Sequence, residues 1–224
     1  MDFPLIILTM KVAIVATLID LPIALLAGWM LTKGRFPGRI VLDILISLPL
    51  ALPPVAVGFF LLVVLGRTGV IGAVVYELVG IDLVFTWFAA AIASAVVSFP
   101  LVARAVVVAM GAVDENIERS ARSLGAGPLR VALTVTIPLA YRGILAGVLL
   151  GFVRSLSEFG ATIAVAGNIP GKTQTLSLAI YSSVQIRDDR TALYLVGISV
   201  TLAIATLAVH NWLLNRTDRR MSGG

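Results

Sequence analysis

The chain runs as long apolar stretches separated by short polar links. Five stretches, at 5–31, 40–65, 83–110, 137–166 and 192–214, hold enough consecutive apolar residues to cross a bilayer as helices, which takes about 20. A sixth segment, 175–185, is too short to cross and predicts a helix that lies at the surface or folds back. No internal repeat at a fixed period is visible, so the inverted-repeat architecture of many secondary transporters gains no support. The pattern predicts an all-α polytopic membrane protein. It forms one transmembrane unit over 5–214, with five membrane helices, or six if 175–185 also crosses.

Composition agrees with the pattern. Of 224 residues, 59% are hydrophobic and 13% charged, where an ordinary globular domain has about a quarter charged; mean hydropathy is +1.03. The net charge of +5 sits mostly between the apolar stretches, which reads as topogenic charge and not as a nucleic-acid footprint. The link after the first stretch carries Lys33, Arg35 and Arg39, the link after the third carries Arg119, Arg122 and Arg130, and the tail carries Arg216, Arg219 and Arg220. The other two links are more balanced, with Arg67 against Glu77 and Asp82, and Lys172, Arg187 and Arg190 against Asp188 and Asp189. Positive residues favour the cytoplasm, so the N-terminus is expected outside, with a loop at 111–136 and a tail at 215–224 in the cytoplasm. The N-terminal stretch lacks a basic n-region and reads as a retained span. With no cysteine, disulfides, thiolate metal sites and cysteine nucleophiles are excluded. Five helices are few to enclose a solute path alone, so a second copy of the chain, arranged as a two-fold dimer, is the expected working unit.

Within the fourth stretch Gly143, Gly147, Gly151 and Ser155 recur every four residues, a stripe of small side chains that lets another helix approach closely. Arg154 and Glu158 are charges in a lipid setting and should face protein or water. At about 100° per residue, Glu158 lies about 20° and Arg154 about 60° from the Gly151 direction. Both point to the packed side, as an ion pair, as a brace for a neighbouring helix, or as the lining of an anion path. Pro49, Pro53 and Pro54 interrupt the second stretch, and Pro100, followed by Arg104, interrupts the third; such bends suit gated paths and static bundles alike. Asp20, beside Pro22, is a further intramembrane polar group with no partner evident in sequence. Gly28, Pro54 and Arg154 are candidates to line a path.

Two patterns mislead. "AGNIPGKT" at 166–173 loosely fits a phosphate loop, but it follows a membrane helix and not a buried strand; a turn built by Asn168, Pro170 and Gly171 accounts for it better. The single His210, beside the interfacial anchor Trp212, cannot form a metal site alone, and neither HExxH nor GxSxG occurs. No catalytic constellation, metal site or cofactor site is legible, which makes a membrane-embedded enzyme improbable.

The most informative stretch is "ERSARSLGAGPLRVALTVTIP" at 118–138. Asp114 is placed to N-cap a helix over 115–124, in which Glu115 with Arg119 and Glu118 with Arg122 form i, i+4 pairs. Ile117, Ala121 and Leu124 lie on another face. Gly125 is placed to end that helix and Pro128 to begin the next. Two short helices thus meet at a glycine corner, with the small residues Ser120, Ala121, Ser123 and Gly125 able to slot into a groove on another protein; an interfacial helix resting on headgroups fits the same pattern.

The spacing resembles the cytoplasmic motif of permease subunits in binding-protein-dependent ABC importers: Glu-Ala-Ala, three residues, Gly, nine residues, Ile-x-Leu-Pro. Gly125 and Pro138 stand at the family spacing, Ala121 at the second alanine, and Val135 and Ile137 at the Ile and Leu. The departures are Arg119 at the glutamate position, with Glu118 one residue earlier, and Ser120 for the first alanine. These put a specific role for the motif's carboxylate in doubt. The stretch "RSLSEFGATIAVAGNIPGKTQTLSLAIYSSVQ" at 154–185 is similar to molybdate permeases and, at more distance, to sulfate permeases, where a tyrosine is expected at Phe159. The resemblance covers most of the chain. It implies a type I ABC importer permease fold with a cytoplasmic coupling helix, and a homodimeric pore with no cofactor of its own. It further implies cytoplasmic ATPase subunits docked on Glu118, Arg119, Ser120, Ala121, Arg122, Ser123, Leu124, Gly125, Ala126, Gly127 and Pro128. An extracytoplasmic binding protein would deliver a tetrahedral oxyanion: molybdate, with sulfate or tungstate as alternatives. A stand-alone channel or secondary transporter is the rival from another class.

Overall fold

The computed structural model describes residues 3–34 and 36–219, with the side chains of His210 and 213–219 excepted. Arg35, the side chains of His210, Arg216 and Arg219, and most of the tail at 215–224 therefore lie outside the described residues. Every described element is helical: α1 Phe3–Lys33, α2 Arg39–Ala51, α3 Pro54–Leu65, α4 Val70–Val79, α5 Trp87–Gly111, α6 Glu115–Ser123, α7 Pro128–Val131, a π-helical turn Ala132–Thr136, α8 Ile137–Leu156, α9 Gly160–Ala166, α10 Leu176–Gln185 and α11 Asp189–Arg219. Among the described residues, four helical stretches are long and apolar enough to cross a membrane: Phe3–Lys33, Trp87–Gly111, Pro128–Leu156 and Asp189–Val209. The pair α2 and α3 makes a fifth span if counted as one.

That pair departs from the continuous second span expected at 40–65, because the two helices are bent by 112°. A residue before proline is driven out of the helical region, and "LPP" places two such residues in a row. Leu52 has φ −93° and ψ 145°, and Pro53 has φ −57° and ψ 133°. Pro54 then starts α3, where its missing N–H costs nothing. Pro100 behaves differently and lies buried inside an unbroken α5. The fourth span is likewise not continuous over 137–166, since α8 ends at Leu156 and α9 begins at Gly160. At its other end it starts early, with α7 and the π-helical turn running into α8 without a break. The segment at 175–185 is the short helix α10, and α4 occupies what reads in sequence as a link.

The core is α5 held between α1 and α8. Its contact surfaces are small: Ala13, Ala16, Ala24 and Ala27 of α1, and Ala90, Ala93 and Ala103 of α5, are all buried. The stripe on α8 packs here as the spacing predicts. A methyl group on Gly147 would come within 2.5 Å of the Ala105 Cβ, and one on Gly143 or Gly151 would meet Ala109 or Val102 at least as closely. Gly28 meets α5 in the same way, 2.7 Å from a Val106 methyl, so it is a packing residue and not a free wall. Beside the N-terminal half of α5, α3 packs on α9, where Gly58 would bring a Cβ within 2.5 Å of the Ala161 carbonyl oxygen. Thr9 of α1 accepts the Leu176 N–H at 2.9 Å and so ties the start of α10 to the bundle. Asp188 caps α11 by accepting the Thr191 N–H at 3.1 Å, and the Thr191 side chain and N–H hold its carboxyl below the usual carboxylate range.

Gly147→Ala should cost about 1–3 kcal/mol, the usual penalty for overpacking, read as a lower unfolding temperature of the detergent-solubilised protein. Adding Ala105→Gly should recover most of that loss, because it returns the volume at the point of collision.

Candidate coupling site and the polar network behind it

Local sequence builds a corner between α6 and α7. Asp114 accepts the Asn116 N–H at 2.8 Å and starts α6. Gly125 ends it with φ +85°, a left-handed conformation that glycine adopts at little cost. The Gly125 N–H donates to the Arg122 carbonyl at 2.9 Å and the Ala126 N–H to the Ala121 carbonyl at 3.2 Å, the paired bonds of a Schellman closure. Pro128 opens α7 at its first helical position. Pro138 lacks the N–H for its place in the ladder, and the Ile137 N–H just before it bonds back five residues to the Ala132 carbonyl. The resulting π-helical turn lies directly under the end of the motif, at Val135, Ile137 and Pro138.

The corner has a free tip and an anchored root. At the tip Leu124 is 89% exposed, Leu129 69% and Ile117 47%. Arg119 pairs there with Glu115 at 2.7 Å, both side chains exposed, an arrangement that adds little stability. The Ser120 and Ser123 hydroxyls donate to the Asn116 and Arg119 carbonyls and so close back on their own helix.

The root is Glu118, the residue whose role the motif's departures put in doubt. Its side chain is 1% exposed. One carboxylate oxygen takes Lys33 Nζ at 3.0 Å and Arg122 Nη2 at 3.3 Å, and the other accepts the Thr136 hydroxyl at 2.7 Å. A buried charge is tolerated when cations and hydrogen bonds offset its desolvation. Here three elements meet on one carboxylate: the last residue of α1, α6 and the π-helical turn. The contact also places the first and third links on one face of the bundle. Sequence offered the pair Glu118 with Arg122, but Lys33 and Thr136 are brought in only by the fold.

A second network lies inside the bundle. Asp20, which shows no partner in sequence, meets Ser98 of α5, whose hydroxyl is 2.7 Å from Asp20 Oδ2 and accepts from Ser155 of α8 at 3.0 Å. All three residues are buried. Ser155 therefore does more than continue the glycine stripe, since it joins α8 to a polar contact between α1 and α5.

Of the three arrangements open in sequence, Arg154 and Glu158 adopt the i, i+4 ion pair, at 2.8 Å, with the Glu158 side chain 2% exposed. The other Glu158 oxygen accepts the Ala161 N–H at 2.9 Å and so caps the start of α9 after the break. Both charges thus brace the discontinuity, and Pro54 of α3 sits against it beside Gly160. The turn at 166–173 is closed by Thr173, whose hydroxyl accepts the Ile169 N–H at 3.0 Å, with Gly167 and Gly171 at positive φ.

The sequence profile of the family described as binding-protein-dependent transport system inner membrane component matches residues 20–223. A molybdenum transport system permease protein, ModB, of Escherichia coli strain K12 is 44% identical over 99% of this chain and 97% of that protein. A sulfate transport system permease protein, CysT, of Salmonella typhimurium is 36% identical over 96% of this chain and 77% of that protein. A chain of a methionine ABC transporter in an inward-facing conformation superimposes with a TM-score of 0.71 at 16% identity, covering 93% of this chain and 92% of that one. The fold expected from the motif, that of type I ABC importer permeases, is the fold observed.

Glu118→Gln should lower the stability of the purified protein by about 1–3 kcal/mol, the range for losing a hydrogen-bonded buried charge, because Lys33 loses its partner. Combining it with Lys33→Met should cost less than the sum of the two single changes, a coupling readable in a double-mutant cycle of thermal unfolding.

Proposed function

We propose a function from one premise: the chain belongs to the family of binding-protein-dependent transport system inner membrane components. It is a multi-pass inner-membrane transport subunit, and ATP hydrolysis belongs to a separate partner. Our reading is that it forms, with a second copy, the pore of an ATP-driven importer of molybdate. The relative that carries molybdenum transport in its name is 44% identical and matched over 97% of its length, against 36% and 77% for the sulfate relative. That difference supports molybdate over sulfate as the cargo.

The observation that carries the coupling assignment is the contrast between tip and root. A helix corner with Leu124 at 89% exposure, held at its base by a buried Glu118, presents an apolar knob on a fixed mount. Covering such an exposed apolar tip with a partner is favourable, at about 25 cal/mol per Å² of apolar surface removed from water. Cytoplasmic ATPase subunits would cover the knob, which puts α6, α7 and the basic links in the cytoplasm. The N-terminus then lies outside and the tail at 215–224 inside, in accord with the distribution of Lys and Arg. An extracytoplasmic oxyanion-binding protein would dock on the opposite face. Movement of the ATPases would enter α8 through α7 and the π-helical turn, and α1 through Lys33.

In proteoliposomes holding this chain, its ATPase and its binding protein, molybdate uptake should require ATP and exceed sulfate uptake. Leu124→Asp should reduce co-purification of the ATPase and uptake by about tenfold or more while leaving the chain inserted and dimeric. Full uptake without the ATPase would instead identify a stand-alone channel or secondary carrier, and unchanged co-purification of Leu124→Asp would remove the coupling assignment.

A further inference from the structure

A charge inside a membrane span must face protein or water. Arg104 and Asp43 meet this condition only in part. The Arg104 Nη1 donates to Asp43 Oδ1 at 2.8 Å, and its Nη2 donates to Asp43 Oδ2 at 3.3 Å and to the Ser47 hydroxyl at 2.6 Å. The guanidinium is thus fixed against α2, yet the two side chains remain 46% and 42% exposed. Arg104 stands seven residues before the end of α5 at Gly111, about 10 Å along the axis at 1.5 Å per residue. Asp43 stands one turn inside α2. The cluster therefore sits within the half of the span nearest the coupling corner. It lies on a stripe of α5 that continues through Leu101 and Val108, 36% and 71% exposed.

We propose that this stripe lines a water-filled inner half of the transport route, and that Arg104 there contacts the passing oxyanion. The proposal rests on the reading of the chain as an oxyanion permease. Guanidinium carries five N–H donors in a fixed plane, and the bonds to Asp43 and Ser47 occupy three of them. One Nη1–H and the Nε–H remain, on opposite edges of the plane, and either can donate a single bond to an anion. Asp43 cancels most of the charge, so the site offers oriented donors without holding the anion tightly. Conduction needs that balance, with binding strong enough to admit the ion and weak enough to release it. Asp43 and Ser47 are positioning residues in this scheme, because they fix the plane of the arginine before the anion arrives.

The chain has no cysteine, so Val108→Cys gives one thiol per copy of this chain, read on the band of this chain alone. In the assembled complex, an anionic membrane-impermeant thiosulfonate added from the cytoplasmic side should modify Val108→Cys, and molybdate supplied with the binding protein and ATP should slow that modification several-fold. No modification of Val108→Cys overturns the assignment of the stripe to a watery route. Arg104→Gln should reduce molybdate uptake about tenfold or more, the effect of losing charge-assisted hydrogen bonds, with Arg104→Lys intermediate and ATPase co-purification unchanged. Wild-type uptake in Arg104→Gln overturns the anion contact. A wild-type complex that carries no oxyanion overturns the underlying reading alone, because the modification of Val108→Cys still reports whether the route is wet.

Discussion

Everything in this protein is organised around the lack of room beside α5. Where α5 meets α1 and α8, methyl groups on Gly28, Gly143, Gly147 and Gly151 would collide with side chains of α5. Lipid tails are as apolar as leucine, so helices in a bilayer gain little from burying apolar surface against one another. Close packing and interhelical hydrogen bonds take over that task. The two go together here, since small residues bring α1, α5 and α8 near enough for Asp20, Ser98 and Ser155 to bond across three helices. A tightly packed three-helix unit results, and α2, α3 and α9 are arranged around it.

The sequence made much of this readable, for identifiable reasons. Apolar length located the spans, because the bilayer imposes one length on all of them. The small-residue stripe announced the packed face of α8, and Asp114, Gly125 and Pro128 marked the corner, because caps and left-handed glycines are local chemistry. Breaks were harder to read. Pro53 and Pro54 divide a span while Pro22 and Pro100 do not, and the difference is that "LPP" forces two successive extended residues whereas an isolated proline disturbs one turn. The break after Leu156 carries no proline, and its cap, Glu158, reads in sequence as a membrane charge in need of a partner.

What sequence could not supply was pairing over distance. Glu118 reads as one half of a surface i, i+4 pair, and its displacement from the family's glutamate position made any special role doubtful. The fold adds Lys33, 85 positions earlier, and Thr136, 18 later, and so converts a surface residue into the buried pivot of the corner. Asp20 is similar, since Ser98 lies 78 positions away. In both cases a polar residue without a visible partner was informative in itself. The cost of burying it unpaired implies that a partner exists, even where the partner's identity needs the fold.

The same physics links the corner to the bundle. Under the proposed coupling, a force applied at Leu124 would meet two direct connections through Glu118 and one through the backbone of the π-helical turn. Glu118 connects to the end of α1 through half-buried Lys33 at 3.0 Å and to buried Thr136 through a hydrogen bond of 2.7 Å. Between the corner and α8 lies the π-helical turn, whose backbone bonds span five residues and whose register is set by Pro138. Such a turn can return to regular helical register by shifting a residue, an adjustment that a continuous α-helix lacks. Glu118 is bonded to the last residue of that turn, so a change in its register would strain or break the bond to α6. In this arrangement the irregular turn of the span is tied to α6 through Thr136 and, through α8, to the packed face of α5.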